Sequence, residues 1–131
     1  IILESAILMD DEFWYAESIK ILRKTLKRVH LEHESVYDAG FCHGSCGLSH
    51  LYYKIFKLTN LKEFLFQSNY WLEVTFNKSE FKDGYAGYKS FHQNDGWSNE
   101  MGVLEGVAGI GLVLLARLND SDSTWDNLLL I

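Results

Sequence analysis

Both cysteines of the chain and two of its five histidines fall in one stretch, Phe41-Cys42-His43-Gly44-Ser45-Cys46-Gly47-Leu48-Ser49-His50-Leu51. A thiolate beside an imidazole is a soft donor pair that suits zinc. If the stretch is helical, Cys42, Cys46 and His50 lie four apart along one stripe, and His43, Cys46 and His50 follow at three and four. Either set then offers three metal ligands from a single helix. Adjacent Cys42 and His43 point about 100° apart on a regular helix, so they share an ion only where the backbone is irregular. Gly40 and Gly44 permit that irregularity. The competing reading is that the two cysteines are small buried hydrophobes. A site made from these residues is open or incomplete, the arrangement of a catalytic metal rather than a structural one.

The elements that must position these residues read as helices. Ile1 to Met9 is the end of an apolar helix, interrupted by Asp10-Asp11, whose carboxylates suit the start of the next. Tyr15, Ile19, Leu22, Leu26 and Val29 then recur at spacings of four and three, one amphipathic face. Lys20, Arg23, Lys24, Lys27 and Arg28 form its solvated side. Residues 30–41 form a polar linker with Asp38-Ala39-Gly40 as its turn signal. The cysteine-rich stretch opens a helix running to about Leu58, Thr59-Asn60 ends it, and Leu61, Phe64, Leu65, Trp71, Leu72 and Phe76 mark another. From Asn77 to Gly102 helical periodicity fails, and the stretch reads as a long loop of the kind that wraps a surface or carries function. A helix returns from about Val103 to Leu118, and Trp125 to Ile131 closes the chain as a short apolar segment.

An internal repeat links these helices. Gly44-Ser45-Cys46-Gly47-Leu48-Ser49-His50-Leu51 aligns with Gly106-Val107-Ala108-Gly109-Ile110-Gly111-Leu112-Val113, with both glycines in register. Each copy opens an apolar helix, so the unit is a helical hairpin with an inner, small-residue-rich helix and an outer, half-polar one. Glycine costs about 1 kcal/mol in a helix interior. Its recurrence at one turn of two helices therefore predicts close inter-helix approach, as in a ring or solenoid of hairpins. The fold class is all-α.

Net charge −6 from twelve basic and eighteen acidic residues argues against a nucleic-acid or anionic-membrane surface. The uncharged apolar runs are far shorter than the roughly 20 residues a membrane span needs, so no transmembrane segment is expected. Two cysteines four apart on a helix do not suggest a disulfide, which points to reduced thiols and a cytoplasmic location. With no initiator methionine and no signal-like opening, residues 1–131 read as a fragment of something longer.

The residues also carry a family resemblance. Cys42-His43-Gly44 followed by x-x-Gly-Leu, then Gly102-Val103-Leu104-Glu105-Gly106-Val107-Ala108-Gly109-Ile110-Gly111, then Trp125-Asp126-x-Leu-Leu-Leu, resembles the C-terminal part of the lanthionine synthetase C-like family, the lantibiotic cyclases and their relatives. The resemblance covers nearly the whole chain, residues 1–131, as the last part of a longer α/α toroid, an inner ring of helices inside an outer ring. It implies zinc, held by the pair matching Cys42 and His43 together with a cysteine from an upstream Trp-Cys-x-Gly motif. That motif has no match here, and its place would fall before Ile1. The histidine and aspartate the family uses for acid–base work also lie upstream. Cys46 stands where the family has a small residue, and reads as packing, with a substitute ligand as the other possibility.

The resemblance further implies the reaction. A zinc-bound cysteine thiolate of a dehydrated precursor peptide, or another thiol substrate, adds to dehydroalanine or dehydrobutyrine and closes a thioether. Cys42 and His43 are then ligands, and none of the chain's residues is a nucleophile. The isolated chain is expected to show little cyclase activity. The alternative is a non-catalytic helical module that binds a peptide or a thiol-bearing partner. Among other residues, His30 and His33 read as solvated, and a place for His92 in a substrate groove is the lesser of its readings. Glu105 reads as a cap or packing group. The aromatics Tyr85, Tyr88, Phe91 and Trp97 read as laying the loop over the helices. The flanks at Ile1 to Met9 and around Trp125 are expected to expose apolar surface. Light scattering should therefore find self-association; a strictly monomeric species at all concentrations would contradict it.

Overall fold

A computed structural model describes residues 1–27, 35–119 and 125–129. The chain divides into two compact units, one of Ile1–His30 with Ser123–Ile131 and one of Leu31–Asp122. In the first, α1 (Ile2–Leu8) and α2 (Glu12–Thr25) are joined by a corner at which Asp10 takes a left-handed φ of 52°. Asp11 starts α2 as its sequence position suggests: its Oδ1 accepts the Trp14 amide at 3.0 Å, satisfying a backbone N–H that the helix cannot. Ile19 is buried and Tyr15, Leu22 and Leu26 are half-buried, so the amphipathic face is as read up to that point. Arg28, Val29 and residues 30–34 of the linker lie outside the described residues. Ile1, Ile2, Leu8 and Met9 are exposed, whereas Trp125, at the start of a 3-10 helix (Trp125–Leu129), is half-buried.

The second unit holds α3 (Ser45–Thr59), α4 (Lys62–Asn77), a β-hairpin and α5 (Val107–Asn119). Asn60 closes α3 in the left-handed conformation, φ 57°, where its amide donates to the Phe56 carbonyl at 2.7 Å. The chain then reverses directly into α4. The seam between these two helices is made of small hydroxyl residues. Ser45 Oγ and Thr75 Oγ1 are 2.8 Å apart, Ser49 Oγ donates to the Ser68 carbonyl at 3.0 Å, and Ser68 Oγ returns a bond to the Ser49 carbonyl at 2.7 Å. Small side chains allow the helices to approach, and each hydroxyl finds the partner that burial demands. Phe64 and Trp71 on α4 supply the apolar bulk on the same side. Arg117 of α5 reaches Ser68 Oγ at 3.1 Å and lies over the Tyr53 ring.

The all-α assignment is correct in its main content, with one addition. Within the stretch 77–102 the structure has β1 (Ser90–His92) and β2 (Gly96–Ser98), antiparallel, with Phe91 opposite Trp97 and Gly96 at φ 76°. Three-residue strands are too short for alternation to show in sequence. Only the turn between them, Asn94-Asp95-Gly96, carries a residue-type signal. Rings of Phe81, Trp97, Phe91 and Tyr37 follow one another at centroid spacings of 4.8, 5.3 and 4.8 Å. The aromatics therefore pack chiefly on each other and on the loop bearing Tyr37.

The repeat is present in the backbone and extends further upstream than the glycines suggest. Before α3 the Ser45 amide donates to the Asp38 carbonyl at 3.1 Å, and before α5 the Val107 amide donates to the Glu100 carbonyl at 3.0 Å. The repeated glycines serve this turn more than helix–helix approach. A Cβ on Gly47 would sit 1.8 Å from the Phe41 carbonyl oxygen, and one on Gly109 would sit 1.9 Å from that of Val103. Each helix folds back over the turn that precedes it, and only glycine leaves room. The approach between copies is looser, with Gly109 meeting Phe41 Cβ at 3.0 Å. Gly47→Ala should accordingly lose about 3 kcal/mol or more, since backbone must move. Gly111→Ala, where a Cβ meets nothing within 4 Å, should gain up to about 1 kcal/mol. Urea unfolding of the two variants checks both, and a neutral Gly47→Ala would refute the turn-packing account.

Candidate functional site

The loop Asp38–Gly44 builds the site. Gly44, the N-cap of α3, has no side chain to satisfy the first-turn amides, so carbonyls of the loop itself accept them, Asp38 O from Ser45 and Gly40 O from Gly47 at 3.5 Å. Phe41 turns inward and is buried. The next two residues, Cys42 and His43, project outward as the exposed crest of the turn, the His43 side chain 48% accessible. They lie outside α3, so the two helical stripes considered above do not form. Irregular backbone is what the adjacent pair needs to converge on one ion.

Cys46 and His50 sit on the other side of this boundary. Both are within the helix and buried, with His50 5.7 Å from the Phe41 ring centroid. Burial pushes the Cys46 thiol up to about 12, the state of an inert packing group rather than a ligand. Neither cysteine is in a disulfide. His30 and His33 lie outside the described residues. Glu105, the counterpart of His43 in the repeat, is exposed rather than packed. Its carbonyl accepts a hydrogen bond from Ser90 Oγ, and Leu104 O accepts the Cys42 amide at 2.7 Å. The two copies of the turn are thus bonded to each other.

The residue that sequence reading passed over is Asp38. Its side chain is fully buried. Oδ1 accepts the Gly40 amide at 2.9 Å, Oδ2 accepts the Phe91 amide of β1 at 2.9 Å, and Oδ2 faces His43 Nε2 at 3.5 Å. The Lys78 ammonium lies nearby, donating to the Val36 and Tyr37 carbonyls at 3.2 and 2.8 Å. Desolvation lowers the Lys78 pKa, and the negative charges of Asp38 and Glu80 act against that shift. A buried carboxylate is tolerable because two amides and a nearby cation answer it. The signal for it was in the repeat, where Asp38 aligns with Glu100 and Gly40 with Gly102.

Beside His43 is an open cleft of about 700 Å³ lined by Ser35, Tyr37, His43, Phe91, His92 and the hairpin tip Gln93 to Asp95. His92, for which a groove was the lesser reading, does line it, with Nε2 facing Glu100 Oε1 at 3.7 Å. The donor chemistry of the pair fits zinc: an accessible thiol and imidazole, adjacent on irregular backbone, next to a cleft. No group of three or more His, Cys, Asp or Glu residues that could hold a metal occurs among the described residues. No helix of the described residues is long and apolar enough to cross a membrane.

These features define an all-α chain built on a repeated glycine turn, one copy of which presents a thiol and an imidazole. The chain belongs to the lanthionine synthetase C-like family, whose model matches residues 2–130. No curated protein matches it.

The contrast between the two thiols is testable. At pH 8 an alkylating reagent should modify Cys42 fast and Cys46 at least about a hundredfold slower, as followed by intact mass and peptide mapping. Because folding raises the Cys46 pKa, its contribution to stability is complete below the ordinary thiol value of about 8.5 and is lost as pH rises toward about 12. Wild type should therefore lose stability above pH 9 more steeply than Cys46→Ala. Equal slopes would refute the burial effect.

Proposed function

We propose that Cys42 and His43 are two protein ligands of a zinc ion, and that the chain serves the addition of a peptide cysteine thiol to a dehydroalanine or dehydrobutyrine. The observation that carries this reading is the crest of the Asp38–Gly44 turn, where thiol and imidazole are accessible together beside the cleft. When bound, zinc lowers the pKa of a coordinated thiol so that thiolate predominates at neutral pH. In the addition a carbon–sulfur bond forms at the β-carbon of the dehydro residue, its carbon–carbon double bond becomes single, and the α-carbon takes a proton.

The chain's own residues supply binding and orientation. His43 and Cys42 hold their donor atoms on a turn fixed from below by the Leu104 carbonyl and the Asp38 side chain. The cleft gives an extended peptide a polar wall at Gln93 to Asp95 and an aromatic one at Tyr37 and Phe91. Cys46 is the only other cysteine and is buried, so a third thiolate would come from outside residues 1–131. With Cys42 and His43 as two ligands of the proposed site, residues 1–131 alone should turn over dehydrated peptide slowly or not at all. We place the chain in one α/α toroid with the rest of its family fold and, with both thiols free, in a reducing, cytoplasmic setting.

A second reading, a non-catalytic peptide- or thiol-binding module, draws on the same two-ligand count. Metal analysis separates them. Purified chain should carry zinc that is lost, by at least about tenfold in affinity, in Cys42→Ala and His43→Ala with unchanged circular dichroism. A metal-free chain whose folding ignores both substitutions would favour the module.

A further inference from the structure

We infer that Asp38 is the positioning residue of the site: its buried carboxylate fixes the tautomer and orientation of the His43 ring so that Nδ1, not Nε2, is the atom offered to a metal. The inference concerns the ring itself, and rests on the proposed zinc reading only for what Nδ1 is offered to.

A neutral imidazole has one N–H and one lone pair, and the partner of one nitrogen decides the role of the other. Nε2 of His43 faces Asp38 Oδ2 at 3.5 Å. A carboxylate oxygen accepts hydrogens and donates none, so the nitrogen turned toward it is the one that bears hydrogen. Nδ1 keeps the lone pair. The carboxylate is a fixed reference for this choice because both of its oxygens are already anchored. Oδ1 is held by the Gly40 amide within the same turn, and Oδ2 by the Phe91 amide of the hairpin. A fully buried side chain with two backbone donors cannot swing away as an exposed carboxylate would. Metal-ligating histidines characteristically donate from their second nitrogen to a carboxylate, backbone carbonyl or water, and loss of such a partner weakens metal binding by about 10–100-fold.

The repeat supplies an internal comparison. At the matching place in the second turn, Glu100 faces His92 Nε2 from 3.7 Å and accepts Ser98 Oγ at 2.9 Å, while Glu105 stands where His43 would be. An acidic residue therefore recurs at this backbone position, and only in the first turn does it face an imidazole of its own turn.

The test uses Asp38→Asn, which keeps an acceptor oxygen for one amide and presents an N–H₂ donor in place of the other oxygen. Ring ¹⁵N chemical shifts of His43, assigned by their loss in His43→Gln, are read at a pH where the ring is neutral. Wild type should show a single Nε2–H tautomer rather than the averaged mixture of a solvated ring. Folded Asp38→Asn should shift toward Nδ1–H and bind zinc about 10–100-fold more weakly. A His43 ring that is Nδ1–H or averaged in wild type overturns the inference, and so does a folded Asp38→Asn whose tautomer and zinc affinity match wild type. Should that variant fail to fold, the wild-type tautomer decides alone. If wild type shows the Nε2–H tautomer but binds no zinc, the positioning role stands and the zinc reading falls.

Discussion

The Asp38 carboxylate is the constraint on which the second unit depends. Its own turn and a segment distant in sequence converge on it: the turn through Gly40 and the crest residue His43, and the hairpin through Phe91. A charge removed from water costs several kcal/mol unless answered, and here the answer comes from backbone amides that would otherwise lack partners of their own. The solvation needs of the acid and of the loop therefore cancel only in one arrangement. The short hairpin would be marginal in isolation. Tied to Asp38 and stacked ring on ring from Phe81 to Tyr37, it becomes the wall of the cleft.

Two copies of one turn give the unit its logic. In both, a helix starts without a side-chain cap, folds back across its own entry loop and needs glycine where that fold-back is tightest. The copies meet at the Cys42 amide and the Leu104 carbonyl. What differs is what the crest carries: a thiol and an imidazole in the first, Leu104 and Glu105 in the second. Geometry is shared and chemistry is not.

Much of this was legible in the sequence because it rests on periodicity and on residue types with strong local preferences. The helices, the Asp11 cap, the reversal at Asn60 and the glycine register all follow from local rules. Cys42 and His43 stood out by chemistry, and the family membership agrees with the motif order that suggested it. What escaped has a common cause: it depends on partners far along the chain. Asp38 looked like a turn residue because its Gly40 bond is local, whereas its bond to Phe91 spans the whole of α3 and α4. The hairpin was hidden by its brevity. The division of the cysteines between crest and core depended on where the helix begins, and the four-residue spacing suggested one stripe where the structure has two environments. The glycines were read as spacers between helices, but their tightest neighbours are carbonyls of their own turns.

The exposure of the crest has a consequence for how this protein can change. Cys42 and His43 contribute little packing, since the turn is held by Phe41, Asp38 and the glycines beneath them. Their side chains can be exchanged without disturbing the frame, as the Leu104 and Glu105 of the second copy illustrate. A lineage could lose the donors and keep a fully folded domain, invisible to any measurement of stability or expression. Substitutions at the pair therefore leave the frame intact, whereas substitutions at Asp38 or Gly47 disturb it.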